Sequence, residues 1–120
     1  MEGVVRVIGI RGAVSVERNE ACEILERTKE LLREMLEVNR LDKAAIISAF
    51  FTVTPDLNAA FPAEAARHLG WGEVALMCAT EIPVPGSQPG IIRVLLHAYS
   101  RFPPKHVYLG RAALLRPDLR

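Results

Sequence analysis

The chain has 120 residues and a mass of 13.3 kDa, which suits one domain, residues 1–120, with its own hydrophobic core. Half of its residues are hydrophobic and 24% are charged, a composition that excludes intrinsic disorder. Fifteen basic and fourteen acidic residues leave a net charge of +1, so no overall field attracts nucleic acid or an anionic membrane surface.

The first half of the chain is predicted to form a strand, a long helix and a second strand. Residues 4–16 are rich in Val and Ile and predict the first strand, with Arg11 inside it. Residues 19–39 carry apolar side chains at helical spacing with charges opposite, and Asn19 is suited to cap this helix. After a short turn, the almost wholly apolar run 45–53 predicts a strand that is buried on both faces.

The second half of the chain is predicted to form a short helix and three more strands. Pro62 is suited to the first turn of a helix over residues 62–69, and Gly70 to its left-handed end. Prolines and glycines between residues 83 and 90 predict an irregular loop. The three strands are predicted at residues 73–79, 91–99 and 106–115.

These elements predict an α+β fold, in which a mixed sheet of about five strands is combined with one long and one short helix. Several strands are apolar on both faces, whereas one long amphipathic helix covers only one face of a sheet. A homo-oligomer that closes sheet against sheet around a symmetry axis would bury the remaining apolar surface. We therefore expect the protein to be oligomeric.

Export, membrane insertion and metal binding are not expected. The longest stretch without a charged residue, residues 44–55, has 12 residues, whereas a membrane-spanning helix needs about 20. The first residues include an acid and lack the basic flank of a secretion signal, which favours a cytoplasmic protein. Cys22 and Cys78 are too few for a disulfide scaffold, and the three histidines have no metal-site spacing with them.

Three arginines lie in or beside apolar runs, where a buried guanidinium needs an anion as its partner. Arg11 and Arg93 fall inside predicted strands, and Arg116 directly follows the apolar run 112–115. The neighbouring strand segments offer one acid, Glu81, so positive charge is left over. This surplus predicts a pocket for a small anion such as a dicarboxylate or a phosphate. The alternative is that strand ends or sheet edges let these side chains reach water.

Other candidate residues each allow more than one interpretation. Cys78 is either a packed core thiol or a reactive group at a cavity. Glu81 is a general base, an acceptor for a ligand hydroxyl, or the counter-ion of an arginine. Tyr108 either presents its hydroxyl to an anion or simply packs in its strand. Arg67, one turn into the short helix, is either a ligand of an anion or an exposed helix residue.

Taken together, the chain resembles the small monofunctional chorismate mutases of the trimeric, barrel-like class, which differ from the all-helical class. The resemblance covers nearly the full length, and the order and spacing of its segments make it specific. The segments are Gly9-Ile10-Arg11-Gly12-Ala13, Val16-Glu17-Arg18, Thr54-Pro55-Asp56-Leu57, Phe61-Pro62-Ala63, Cys78 with Glu81, Ile92-Arg93-Val94, His106-Val107-Tyr108-Leu109 and Leu115-Arg116-Pro117-Asp118-Leu119.

The resemblance implies conversion of chorismate to prephenate in tyrosine and phenylalanine biosynthesis, in a homotrimer with sites between neighbouring subunits. By the family pattern Arg11, Arg93 and Tyr108 hold the substrate. Arg93 also reaches the ether oxygen, while Glu81 and Cys78 meet the ring hydroxyl. The family pattern further assigns the walls of the site to Phe61, Ala63, Leu76, Met77 and Leu115, and its mouth to Arg67 and Arg116.

Two positions depart from the family pattern. Glu64 stands where relatives can carry a lysine, and a carboxylate there does not attract a dianion. Met77 replaces a smaller polar residue and alters a wall contact.

The implied reaction fits these residues, because a pericyclic rearrangement needs no nucleophile, proton transfer or cofactor. It needs the substrate to be held in its reactive conformer and fixed positive charge at the breaking ether bond, for which Arg93 is the candidate. The alternative function is a non-catalytic trimeric module that binds a carboxylate metabolite in the same pocket.

Overall fold

The computed structural model describes residues 3–115. Within that range the chain forms five strands and two α-helices, in the order β1 (Arg6–Ser15), α1 (Ala21–Val38), β2 (Ile46–Val53), α2 (Ala63–His68), β3 (Ala75–Thr80), β4 (Ile91–Ser100) and β5 (Val107–Leu109). Two 3₁₀ segments, Lys43–Ala45 and Gly110–Leu114, precede β2 and follow β5. Neither helix in the described range is long and apolar enough to cross a membrane.

The five strands form one mixed sheet with the order β3-β2-β4-β1-β5. The long strand β4 lies at its centre and pairs antiparallel with both β1 and β2. The two edge strands are parallel to their neighbours, β3 to β2 and β5 to β1. The predicted α+β class with a mixed five-stranded sheet is confirmed.

One face of the sheet is covered by the helices and carries the main core. Alternate side chains of the strands, among them Ile10 and Leu96, share this core with Leu31 and Met35 of α1. The helix crosses β1 so closely that a Cβ atom at Gly12 would overlap the Met35 sulfur. A side chain at this crossing would therefore require the end of the Met35 side chain to move.

The opposite face of the sheet, called here the uncovered face, exposes apolar side chains. Those that are more than one-third exposed are Val7, Phe50, Met77, Leu95 and Tyr99. The prediction that residues 45–53 are buried on both faces is therefore wrong for the single chain, because both helices lie on the other face. Within β2, Phe51 is fully buried whereas its neighbour Phe50 is 40% exposed.

The last predicted strand is much shorter than expected. The prediction of a strand over residues 106–115 is wrong beyond Leu109, because Gly110 adopts a φ of 61° and turns the chain out of the sheet. The residues that follow coil into the 3₁₀ segment Gly110–Leu114, whose Ala112 joins Ala13 and Ile91 in a small second core. The apolar run here is thus typical of a short helix that packs on one side.

The predicted cap of α1 is also wrong. Glu20 occupies the N-cap position and makes no side-chain capping bond. The side-chain oxygen of Asn19 instead accepts hydrogen bonds from the backbone N–H groups of Asn58 and Ala59, both at 3.0 Å. Asn19 therefore fixes the loop before α2 rather than the start of α1.

Candidate active site

Three residues from different strands meet on the uncovered face. Arg11 of β1, Arg93 of β4 and Tyr108 of β5 line a shallow cleft of about 260 Å³. The strand register brings them together, because Ala13 of β1 is paired with Arg93 on one side and with Tyr108 on the other. Arg11 lies two residues before Ala13 and so shares its face of the sheet. The cleft thus combines two guanidinium groups and one phenol.

A single carboxylate is bound inside this cluster of charges. Oε2 of Glu81 lies 2.9 Å from Nε of Arg93 and accepts a hydrogen bond of 2.7 Å from the hydroxyl of Thr52. Glu81 directly follows β3, and its backbone N–H donates to the carbonyl oxygen of Val53 at 2.9 Å, which continues the pairing of β3 with β2. This backbone bond brings the carboxylate to the row of the sheet that contains Thr52 and Arg93.

The positive charge of the cleft exceeds its negative charge. Among residues 3–115 no carboxylate lies within 4.0 Å of the Arg11 guanidinium, whereas Arg93 is paired with Glu81. Both arginines are exposed in the single chain, and the side chain of Arg93 is 46% exposed. Burial of these strand arginines, the premise from the sequence, is therefore wrong for the single chain. Their side chains nevertheless line one cleft and leave a site for an anion.

A second cleft, of about 510 Å³, lies beside the edge strand β3. Phe61, Glu64 and Cys78 line it, together with Ala21 and Leu25 of α1. Phe61 is 69% exposed, and the carboxylate of Glu64 lies 3.5 Å from Nε2 of His68. Cys78 is half-buried and packs against the main core. Within one chain, the predicted site residues are thus divided between two clefts.

The other predicted binding residues lie outside the linings of these clefts. Ala63 is buried in α2, and Leu76 packs against the main core. Met77 is 65% exposed on the uncovered face, and Arg67 is exposed on α2. Leu115 packs with Tyr108 against the small second core. Arg116 lies outside the described residues, so its role at the mouth of the site stays a prediction.

Residues 3–115 contain no group of three His, Cys, Asp or Glu side chains that could hold a metal ion. The polar side chains that line the first cleft are those of Arg11, Thr52, Arg93 and Tyr108, and the carboxylate of Glu81 adjoins it through Thr52 and Arg93.

A comparison with protein families decides which family the chain belongs to. The model of the family described as chorismate mutase type I matches residues 7–119 of the chain. The chain belongs to this family. The expectation of an isomerase that converts chorismate to prephenate in aromatic amino acid biosynthesis is confirmed.

Individual chorismate mutases are similar over most of their length. The chain is 50% identical to chorismate mutase AroH of Thermus thermophilus over 117 residues, which cover 94% of this chain and 96% of the relative. It is 42% identical to chorismate mutase AroH of Bacillus subtilis over 115 residues, which cover 92% and 91%. The solved chorismate mutase from Clostridium thermocellum superimposes with a TM-score of 0.88 at 51% identity, covering 89% of this chain and 98% of that one.

One polar residue that lines the first cleft was not singled out in the sequence. Thr52 lies between Ala79 of β3 and Arg93 of β4 in the sheet and donates to Glu81. Strand periodicity predicts only the face of the sheet on which Thr52 lies, which it shares with Phe50 two residues earlier. Its neighbours depend on the register between β2 and β4, which are separated in sequence by a helix and another strand.

Proposed function

We propose that the cleft on the uncovered face binds chorismate and that Arg93, Arg11 and Tyr108 carry the rearrangement. The observation that supports this assignment is the convergence of two guanidinium groups on one cleft, of which only Arg93 has a carboxylate partner among residues 3–115. One carboxylate of a dianionic substrate balances the single positive charge that Glu81 leaves uncompensated in the cleft. Arg11 and Tyr108 hold substrate carboxylates through their N–H and O–H donors.

The chemistry is an internal exchange of bonds. The ether C–O bond breaks while a new C–C bond forms, electron pairs shift around a ring of six atoms, and no atom or proton enters or leaves. Catalysis therefore consists of holding the flexible substrate in its reactive conformer and stabilising the negative charge that develops on the ether oxygen. No cofactor takes part.

Arg93 supplies the fixed positive charge. Its Nε is occupied by Glu81, so the terminal N–H groups remain for the ether oxygen and a substrate carboxylate. Because the ion pair and the strand hold this guanidinium before the substrate arrives, little reorganisation is needed during the reaction. The Glu81 carboxylate accepts a hydrogen bond from the ring hydroxyl of the substrate, and Cys78 contacts the same hydroxyl.

The active site is completed by a neighbouring subunit in a homotrimer. The exposed apolar side chains of the uncovered face form a patch of the kind that is buried between copies. In a closed ring the cleft beside β3 of one copy faces the arginine cleft of the next, so that Phe61, Glu64 and Cys78 join Arg11 and Arg93. Phe61, Ala63, Leu76, Met77 and Leu115 then form the walls, with Arg67 and Arg116 at the mouth.

We also propose a cytoplasmic location, because a doubly charged substrate does not cross a lipid bilayer unaided.

The assignment is tested by comparing two arginine variants. The purified protein in metal-free buffer is expected to consume chorismate, measured as loss of its ultraviolet absorbance. Arg93→Ala is expected to lower kcat about 10³-fold with little change in thermal stability, because the side chain is half exposed and stabilises the transition state. Arg33→Ala, an exposed arginine of α1, is the matched control. Normal kcat in Arg93→Ala would remove Arg93 from the mechanism, and binding without turnover in the wild type would favour the non-catalytic module.

A further inference from the structure

The hydroxyl of Thr52 makes a hydrogen bond that the packing of the strand does not require. Thr52 lies in β2 between Phe51 and Val53, is half-buried, and points to the uncovered face. A β-branched side chain suits a strand, but valine would meet that preference equally well. The hydroxyl of Thr52 donates a hydrogen bond of 2.7 Å to the Glu81 carboxylate.

Thr52 and Arg93 both bind the same carboxylate oxygen of Glu81. The Thr52 hydroxyl and the Arg93 Nε are 2.7 and 2.9 Å from Oε2, whereas Oε1 has no hydrogen-bond partner among residues 3–115. A hydrogen bond from Thr52 and an ion pair with Arg93, which lie on two neighbouring strands, therefore hold the same oxygen of the carboxylate. One oxygen is thereby directed into the sheet, and the other is left for a ligand hydroxyl.

Without the Thr52 hydroxyl, a second arrangement competes. A carboxylate beside a guanidinium favours a bidentate pair, in which its two oxygens bind Nε and one terminal nitrogen. Rotation of Glu81 into that geometry would occupy both Oε1 and the edge of Arg93 that faces the cleft. The groups proposed to meet the ring hydroxyl and the ether oxygen would then bind each other.

We propose that Thr52 is a positioning residue, which holds Glu81 in the monodentate geometry that keeps Arg93 and one Glu81 oxygen available to the substrate. The proposal rests on the function proposed above. Thr52 acts through Glu81 and does not touch the reacting atoms. Its contribution is therefore to kcat, while Arg11 and Tyr108 retain their hold on the substrate and KM changes little.

The test compares variants that differ in one hydroxyl. Thr52→Val keeps the shape and removes the donor, and we expect kcat to fall about tenfold with KM within about twofold, as for a lost bond to a charged group. Thr52→Ser restores the donor and is expected to recover most of kcat. Thr28→Val is the matched control, since it removes a buried hydroxyl that donates to Ile24 of α1 on the other face of the sheet.

A double-mutant cycle with Glu81 separates this proposal from the proposed function. Glu81→Gln is expected to lower kcat, and Thr52→Val added to it is expected to cause no further loss. If the losses of kcat from Thr52→Val and Glu81→Gln were additive in the double variant, the positioning role would be overturned. A wild-type kcat in Thr52→Val, or a kcat in Thr52→Ser as low as in Thr52→Val, would overturn it as well. A Glu81→Gln variant with wild-type kcat would instead overturn the role proposed for Glu81 itself, and with it that of Thr52.

Discussion

Arg11 and Arg93 share one face of the sheet but differ in what surrounds their charge. Arg93 is fixed by Glu81 and, through it, by Thr52, whereas Arg11 has no carboxylate partner in the described part of the chain. The backbone N–H of Arg11 donates to Nδ1 of His106. A fixed arginine suits stabilisation of a transition state, and an arginine without a counter-ion suits capture of a substrate carboxylate.

The two arginines should therefore respond differently to substitution. Arg11→Ala is expected to raise KM about tenfold while kcat falls less, because it removes binding that substrate and transition state share. Steady-state kinetics at constant ionic strength measure the split, with Arg93→Ala as the contrasting variant. Equal losses of kcat in the two variants would contradict the division of roles.

Glu64 is the one carboxylate among the described residues that line the second cleft, where it lies near His68 and is 42% exposed. In the proposed trimer its charge repels a dianionic substrate, so Glu64→Gln is expected to lower KM about threefold, an effect that shrinks at high salt. Glu37→Gln, an exposed position at the end of α1, removes the same charge elsewhere. A KM that both variants change equally would mean that only net charge matters.

For the secondary-structure elements, the sequence predicts which segments are helices and which are strands better than it predicts where they end and which strands pair. The long helix follows from its helical spacing, and the first four strands and the short helix follow from local composition and from the proline and glycine residues between them. The end of β5 depends on the backbone angle of Gly110, which an apolar stretch conceals. The neighbours of Arg93 depend on register between strands that are distant in sequence, so Thr52 and the geometry of Glu81 required coordinates.

The turn at Gly110 should be intolerant of a side chain. Its φ of 61° is strained for other residues, and a Cβ atom there would overlap the Ser15 hydroxyl. Gly110→Ala is expected to lower the free energy of unfolding by about 1–2 kcal/mol, measured by urea denaturation. Gly72→Ala, where a Cβ atom meets open space, is the control. Equal stabilities of the two variants would show that the turn adapts without strain.

For the whole molecule, the ratio of strand to helix predicted an apolar surface without a covering layer, and the uncovered face is that surface. Which residues lie on this surface could be predicted only in part. The face of each strand that packs against the helices depends on how apolar residues alternate in several neighbouring strands, not in one. How the predicted site residues are divided between two clefts could not be predicted, because it depends on which side of β3 each residue faces.

Association and activity should be lost together when charge is placed on the uncovered face. Val7→Glu is expected to yield monomers with kcat/KM reduced at least about 100-fold, because the second cleft no longer meets the first. Light scattering after size-exclusion chromatography reports the oligomeric state. Val84→Glu, a similarly exposed position in the loop after β3, is expected to remain associated. A fully active Val7→Glu monomer would contradict a site shared between subunits.

The end of β3 has a further consequence for mixed populations. Cys78 packs on the helical side, whereas Glu81, an odd number of residues later, binds Arg93 on the other side. In the proposed ring each copy therefore serves two catalytic centres, its own and that of an adjacent copy. If a copy damaged in both clefts exchanges freely with intact ones, a centre works only when two independent copies are sound. Total output then follows the square of the intact fraction, so a minority of damaged chains is more harmful than its abundance suggests.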